Sequence, residues 1–353
     1  MEQESANAAM TLETVKKYYG EKLKTSQDLQ TNACCTAESI PSHLRPYLKN
    51  IHDEVMEKFY GCGSPIPHGV KGILAVDLGS GSGRDSYLLS QLVGETGHVV
   101  GIDMTEQQLG VAKKHVGYHT EKFGFKKPNV EFKQGFIEDL NTVGLKDNSV
   151  DLVVSNCVIN LSPNKKQVFA EIFRVLKPGG ELYFSDVFAN RRIPSHLAQD
   201  PVLLGECLGG AMYTEDFRRM LLSLGIKDYR VMSGAPITIQ NAEIEARAGG
   251  IQWSSITYRI FKMPLEDKCE DFGQMAIYKG SIEHCPLLFK LDDHHIFEKG
   301  KPMSVCGNTA DMLSKSRFGQ HFELIGHKEQ HYGIFDCAPV GAALSAQTVG
   351  ACC

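Results

Sequence analysis

The rhythm of apolar positions changes twice along the chain. Within residues 1–70, Leu12, Val15, Tyr18, Tyr19 and Leu23, then Leu44, Leu48, Ile51, Val55, Met56 and Phe59, recur three or four apart, the spacing of one helix face. This predicts an amino-terminal helical cap of two helices joined by a polar connector over 25–42. Tyr60-Gly61-Cys62-Gly63 followed by Pro65 predicts the stop, since glycine accepts the left-handed backbone of a helix end and proline cannot continue a helix.

From 71 to 187 apolar runs alternate with amphipathic stretches. The runs at 73–78, 99–102, 130–132, 150–155 and 182–186 read as strands buried on both faces. Stretches 85–93, 106–123 and 165–176 read as the helices between them. The alternation predicts an α/β fold, a doubly wound Rossmann-like parallel sheet whose domain spans 71–190. Ligands on such a sheet bind beyond the carboxyl ends of the strands. After Asn190 the alternation weakens through a region at 191–250, with a helix expected over 214–224, capped by Thr214 and stopped by Gly225. Strands expected at 253–263 and 274–278 belong to a smaller α+β unit over 251–337. The small residues of 338–353 read as a loose tail.

Composition narrows the function without choosing it. A chain of 353 residues fits two or three domains, and 42% apolar with 22% charged residues is ordinary for a globular protein. The net charge of −5 gives nucleic acid or an anionic membrane surface no attraction. No apolar run is long enough to span a bilayer, and the first twenty residues lack the basic and apolar regions of a secretory signal, so the expected location is the cytosol. The 11 cysteines include no Cys-x-x-Cys, which argues against a zinc ribbon or a thioredoxin-type redox motif. An odd number in an intracellular chain also argues against a disulfide framework, so isolated thiols are expected, some of which can meet in space.

The strongest motif is Asp77-Leu-Gly79-Ser-Gly81-Ser-Gly83-Arg-Asp85, a strand end, a glycine turn and a helix start. Glycines there let backbone approach a ligand closely. Asp103 closes the next strand in Gly-Ile-Asp103-Met104, where a carboxylate can accept both ribose hydroxyls. The spacing G-x-G-x-G departs from the dinucleotide fingerprint, and the adjoining Asp77 suits a cationic amino group better than a diphosphate. Both points favour S-adenosylmethionine over a nicotinamide cofactor. Gly135-Phe-Ile137-Glu138 follows the third strand, where the adenine would lie, and Asn156 ends the fourth, where it can serve the cofactor or the strand end. Over 71–187 the chain resembles the class I S-adenosylmethionine-dependent methyltransferases.

Three cysteines stand on loops that can reach this edge: Cys62 in Tyr60-Gly-Cys-Gly, Cys157 in Ser-Asn-Cys157-Val-Ile-Asn-Leu, and Cys207 in Gly-Glu-Cys207-Leu-Gly-Gly. Taken singly each reads as packing as readily as chemistry. Together with the glycine loop, these contexts closely resemble the arsenite methyltransferase family, over 15–261. The resemblance implies that Cys62, Cys157 and Cys207 bind trivalent arsenic within 191–250 and the loops facing it. It implies that a fourth cysteine, Cys34, joins a redox cycle. Here the chain has Cys34-Cys35 where one cysteine is expected, and either fits the position.

The chemistry suits those residues. Soft thiolates select a soft acceptor such as trivalent arsenic, whose lone pair attacks the sulfonium methyl without needing a general base. Arsenite or its thiol conjugates would be substrate, mono- and dimethylated arsenicals the products, and glutathione or thioredoxin the reductant that reopens a disulfide. Tyr60 can cover the cofactor mouth through a cation–π contact or simply pack a helix end. Two other readings remain open on the residues alone: methyl transfer to carbon or oxygen of a small organic molecule with structural cysteines, and a thiol-based sequestering protein. His115 and His119 are read as a solvated helix face, His294-His295 as a polar hairpin, and Cys352-Cys353 as a chance vicinal pair. No catalytic motif is visible in the last hundred residues.

Overall fold

The computed structural model describes residues 40–61, 65–239 and 242–337, together with Glu13 and Lys16, which are helical and exposed. Cys34, Cys35, Cys62, Cys352, Cys353 and the tail at 338–353 lie outside the described residues, as do the remaining positions of the first expected helix. Before the sheet, the chain runs through short turns, Arg45–Leu48 and Asp53–Glu57, rather than one long helix. The break comes at His52, whose backbone is extended and whose Nδ1 accepts from Glu54 N–H at 3.2 Å, restarting the helix.

The central sheet contains β1 (Leu74–Leu78), β2 (His98–Asp103), β3 (Val130–Gln134), β4 (Val150–Asn156), β5 (Leu176–Ala189), β6 (Met212–Tyr213), β7 (Arg230–Ile237) and β8 (Trp253–Phe261). Its order is β3-β2-β1-β4-β5-β8-β7, with β6 paired to β5. Strands β1 to β5 pair in parallel, whereas β8 runs antiparallel between β5 and β7. The stretch at 253–261, expected in the smaller unit, therefore belongs to the main sheet. Its apolar alternation matches either location, and only its nine-residue register against β5 decides.

Neighbouring residues along a strand face opposite layers. Val76 and Val153 pack with Phe169 and Ile172 of the helix Lys165–Val175, while Ala75 and Val154 pack with Tyr87 and Leu88 of the helix Arg84–Val93. Burying each such side chain contributes about 1.5–3 kcal/mol. The expected helix at 106–123 is two, Glu106–Lys114 and Val116–Lys122. Its His115 and His119 are 5% and 1% exposed, not solvated: His119 stacks on Tyr87 and His115 Nε2 meets Glu54 at 2.7 Å. The helix Thr214–Ser223 has the expected span, but Tyr213 is its cap residue and Thr214 its first turn.

The carboxy-terminal unit holds a three-stranded sheet of β10 (Gln274–Tyr278), β13 (Pro302–Val305) and β14 (Phe322–Ile325). Two ribbons accompany it, β11 (Leu288–Lys290) with β12 (Ile296–Glu298), and β9 (Glu270–Asp271) with β15 (Gly333–Ile334). Buried Glu181 on β5 joins this unit to the sheet by accepting from Arg259 on β8 at 2.7 Å and from Arg317. Among the described residues, no helix is long and apolar enough to cross a membrane.

Candidate active site

The strand order reverses between β1 and β4, and there the carboxyl ends splay apart to leave a crevice. A cavity of about 930 Å³ opens at that point. It is lined by Tyr60, Asp77, Gly79, Gly81, Asp103, Met104, Ile137, Glu138 and Asn156, nearly all of the residues expected to hold a cofactor, and by Cys157, expected to bind arsenic. Gly83 is the exception. It begins the helix Arg84–Val93 with φ +92°, and a side chain there would strike Phe132, so it serves helix–sheet packing instead.

The glycine loop is pinned from below. Gly79 and Ser80 donate to Ile102 C=O at 2.7 and 2.9 Å, and Gly81 donates to Asp103 Oδ2 at 2.9 Å. Thr105 N–H holds the other Asp103 oxygen at 2.7 Å. Gly81 has φ +52°, and a Cβ built on it meets no atom within 4 Å, so the backbone presents a bare cradle to the cavity. Ser80, also in the lining, has a buried Oγ without a hydrogen-bond partner among the described residues. These features fit a cofactor with a nucleoside and an amino-acid tail.

Electrostatics favours a cation at one end. Burial, then the neighbouring Asp85 carboxylate, pushes Asp77 up to about 7, although Ser86 Oγ donates to it at 2.6 Å. Burial also raises Asp103, against the backbone N–H groups that favour its charge. Asp85 lines the cavity beside Asp77 and accepts from Asn156 Nδ2 at 2.8 Å. The sequence reading used Asp85 only as a helix start. Thr105, Gln108 and Phe136 also line the cavity and carried no signal beyond following a strand end.

The cysteine loops meet at the edge of this cavity. Cys157 follows β4 with φ +56° and Cys207 follows the helix Pro201–Gly205 with φ +62°, both in backbone that residues other than glycine seldom adopt. Cys207 Sγ donates to Cys157 C=O at 3.2 Å. Both sulfurs sit in one apolar cluster with Leu161, Leu208 and Trp253, against which Met104 packs. Gly210 makes this approach possible, since a Cβ there would fall 2.1 Å from the carbonyl oxygen of Asn160. Asp186 fixes the facing loop, accepting from Asn160 N–H and Nδ2 at 3.1 and 2.8 Å.

Lys165, another residue without a sequence signal, is brought down to about 8 by burial, while Asp186, Cys207 and Glu138 oppose the shift. Its charge acts on the Cys207 sulfur. It also lines a second cleft of about 1040 Å³ that shares Leu161 and Ser162 with the first cavity.

One expectation about thiols needs correction. Cys157 is half of a disulfide whose other sulfur lies outside the described residues. Cys269, Cys306 and Cys337, which no short spacing links, meet in the carboxy-terminal unit. Cys62 lies outside the described residues, but Tyr60 and Gly61, which lead to it, line the same cavity as Cys157.

Comparison with known proteins agrees with this geometry. Residues 70–225 match a methyltransferase domain and 273–342 an arsenite methyltransferase C-terminal domain. The chain is 49% identical to the arsenite methyltransferase of Aquipseudomonas alcaligenes over 97% of this chain and 99% of that protein. It is 47% identical to the mouse enzyme of the same name over 87% of this chain and 82% of the relative. A crystal structure of an arsenic(III) S-adenosylmethionine methyltransferase from Chlamydomonas reinhardtii superposes with a TM-score of 0.81, at 50% identity, covering 84% of this chain and all of that one.

Proposed function

The chain belongs to the arsenite methyltransferase family, and from that premise we propose that it methylates trivalent arsenic with S-adenosylmethionine, holding the arsenic on Cys62, Cys157 and Cys207. The observation that carries the reading is the contact between the Cys207 sulfur and the Cys157 backbone at the rim of the glycine-loop cavity.

When bound, S-adenosylmethionine supplies a methyl group made electrophilic by its sulfonium. The residues fitted to hold it are Gly79 and Gly81 beneath the chain of the cofactor, Asp103 at its ribose, Ile137 and Glu138 near its base, and Asp77 near its ammonium. Tyr60 is suited to cover the mouth. Three thiolates replace the oxygens of arsenite and leave the arsenic lone pair facing the cavity. The apolar cluster around Cys157 and Cys207 keeps water from those bonds. Lys165 places positive charge near the Cys207 sulfur. Orientation of the lone pair toward the methyl carbon is the chief contribution of the protein, and such positioning can be worth several kcal/mol.

Transfer of that methyl group to arsenic would leave S-adenosylhomocysteine as the departing product and arsenic formally pentavalent. Two thiols, one of them Cys34 or Cys35, then give up two electrons by joining as a disulfide, returning arsenic to the trivalent state. Glutathione or thioredoxin reopens that disulfide by thiol exchange. Repetition yields the dimethylated product.

The test is direct. Purified chain, arsenite, a thiol reductant and labelled S-adenosylmethionine should yield methylated arsenicals separable by chromatography with elemental detection. Tight arsenite binding without transfer would leave a sequestering protein, and no arsenite binding would leave an organic acceptor.

A further inference from the structure

Far along the chain from the cavity, three cysteines from separate segments meet in the carboxy-terminal unit. Cys269 precedes β9, Cys306 caps the helix Gly307–Ser314, and Cys337 follows β15. Their sulfurs all lie within 4.8 Å of one another. Backbone pairing builds the arrangement: β9 and β15 run antiparallel, and Phe335 N–H donates to Cys269 C=O at 2.8 Å, which brings Cys337 back over Cys269. Cys306 is fully buried and the other two are half-buried. Thr309 Oγ1 lies 3.3 Å from the Cys306 sulfur, and Thr309 N–H donates to that sulfur at 3.5 Å.

A fourth donor stands beside them. His294 lies in the turn between β11 and β12, and a ring nitrogen of it, like one of His295, lies within 4.8 Å of the Cys337 sulfur, though not of all three sulfurs, so it would have to swing toward the trio to complete a site. Its Nδ1 meets Asp293 Oδ1 at 2.7 Å, while Nε2 is buried without a hydrogen-bond partner among the described residues. Leaving such an atom unmatched in the interior is unfavourable. A ring held by a carboxylate on one nitrogen, with the other directed elsewhere in the interior, is the arrangement that orients a metal-ligating histidine.

We propose that Cys269, Cys306, Cys337 and His294 form a zinc site, a structural centre of the carboxy-terminal unit separate from the methyl-transfer cavity. Zinc takes four ligands tetrahedrally, and three thiolates with one imidazole are an ordinary structural set. With zinc–sulfur bonds of about 2.3 Å the sulfurs would stand roughly 3.8 Å apart, so the trio needs only small side-chain adjustment. Three thiolates on a dication leave one negative charge, and the Arg230 guanidinium acts on both Cys306 and Cys337. Trivalent arsenic would use the three sulfurs alone and leave the His294 nitrogen unaccounted for. The site ties three segments whose own sheets have only two or three strands.

The experiment uses the full chain, produced with zinc and without arsenicals and kept reduced. Elemental analysis after desalting should find about one zinc per chain. His294→Ala and Cys337→Ser should each weaken zinc binding at least tenfold, and Asp293→Asn about 10–100-fold through the histidine. Cobalt substituted for zinc should give the thiolate charge-transfer bands and tetrahedral visible spectrum of a three-sulfur, one-nitrogen site, altered in His294→Ala. That spectrum carries the test if Cys306→Ser does not fold. Absence of zinc with all three thiols alkylated as free, a Cys269–Cys337 disulfide in peptide mapping, zinc content unchanged in Cys337→Ser, or arsenite held on the three sulfurs in preference to zinc would each overturn the assignment.

Discussion

The sulfur of Cys207 donates to the backbone carbonyl of Cys157 at 3.2 Å, joining two loops that lie fifty residues apart in the chain. Both residues have positive φ, at +62° and +56°. Left-handed backbone costs a side-chain-bearing residue roughly 1–2 kcal/mol, which glycine would avoid. That cysteine stands at both positions is consistent with selection for the sulfur rather than for the turn.

This contrast gives a paired prediction. Cys207→Ala and Cys207→Gly should both lose methylation, to background. On backbone grounds the glycine variant should nevertheless be the more stable by about 1 kcal/mol, the reverse of the usual order. Urea unfolding of the two variants checks it. An alanine variant as active as wild type would remove Cys207 from the site.

Two glycines separate cofactor binding from arsenic binding. Gly81→Ala should still fold, at a cost of about 1–2 kcal/mol for its left-handed backbone but with no clash, since a Cβ there meets nothing within 4 Å, and it should weaken S-adenosylmethionine binding by filling the cradle. Gly210→Ala must push apart the two cysteine loops, because a Cβ there would stand 2.1 Å from the carbonyl oxygen of Asn160, which is backbone and cannot simply turn aside. It should lose arsenite binding at least tenfold while cofactor affinity changes little. Calorimetric titration of each variant with each ligand tests the separation, and equal losses of both ligands in both variants would refute it.

The parallel core and the cofactor cradle were legible because their signals are local. Apolar runs mark strands buried on both faces, and glycine spacing plus a strand-end aspartate mark the ligand edge. The carboxy-terminal strands were less legible. Residues 253–261 alternate as an edge or central strand would, and their membership of the main sheet rests on pairing with β5, over sixty residues earlier. Lys165 and Asp85 gained their roles only by proximity to Cys207 and Asp77. The His115–His119 pair misled because spacing alone does not say which helix face the core covers. The thiol trio at Cys269, Cys306 and Cys337 follows no short spacing and depends on the pairing of β9 with β15.

The disulfide at Cys157 sets a redox requirement. A sulfur bonded to another sulfur is not a thiolate ligand, so arsenite should bind only after reduction. Chain prepared without reductant should show negligible arsenite binding and turnover, with S-adenosylmethionine binding retained because the glycine cradle needs no thiol. Added dithiol should restore turnover at least tenfold. Oxidised chain that binds arsenite as tightly as reduced chain would exclude Cys157 as a ligand.

Asp77 makes cofactor binding sensitive to pH. Burial and the adjacent Asp85 carboxylate keep its proton on up to about pH 7, well above the ordinary range of an aspartate. A cationic amino group placed nearby favours the ionised form, so binding should release a proton. Affinity for S-adenosylmethionine should therefore rise with pH and level off above 7, being about tenfold weaker at pH 6 than at pH 8. Stability of the cofactor-free protein carries the opposite sign. The raised group contributes most below the ordinary aspartate range and loses that contribution as pH climbs through 7. Asp77→Asn should bind the cofactor more weakly, with a flatter pH profile and no proton release between buffers of different ionisation enthalpy. A wild-type affinity that does not change between pH 6 and 8 would mean that the carboxylate and the bound cation do not interact.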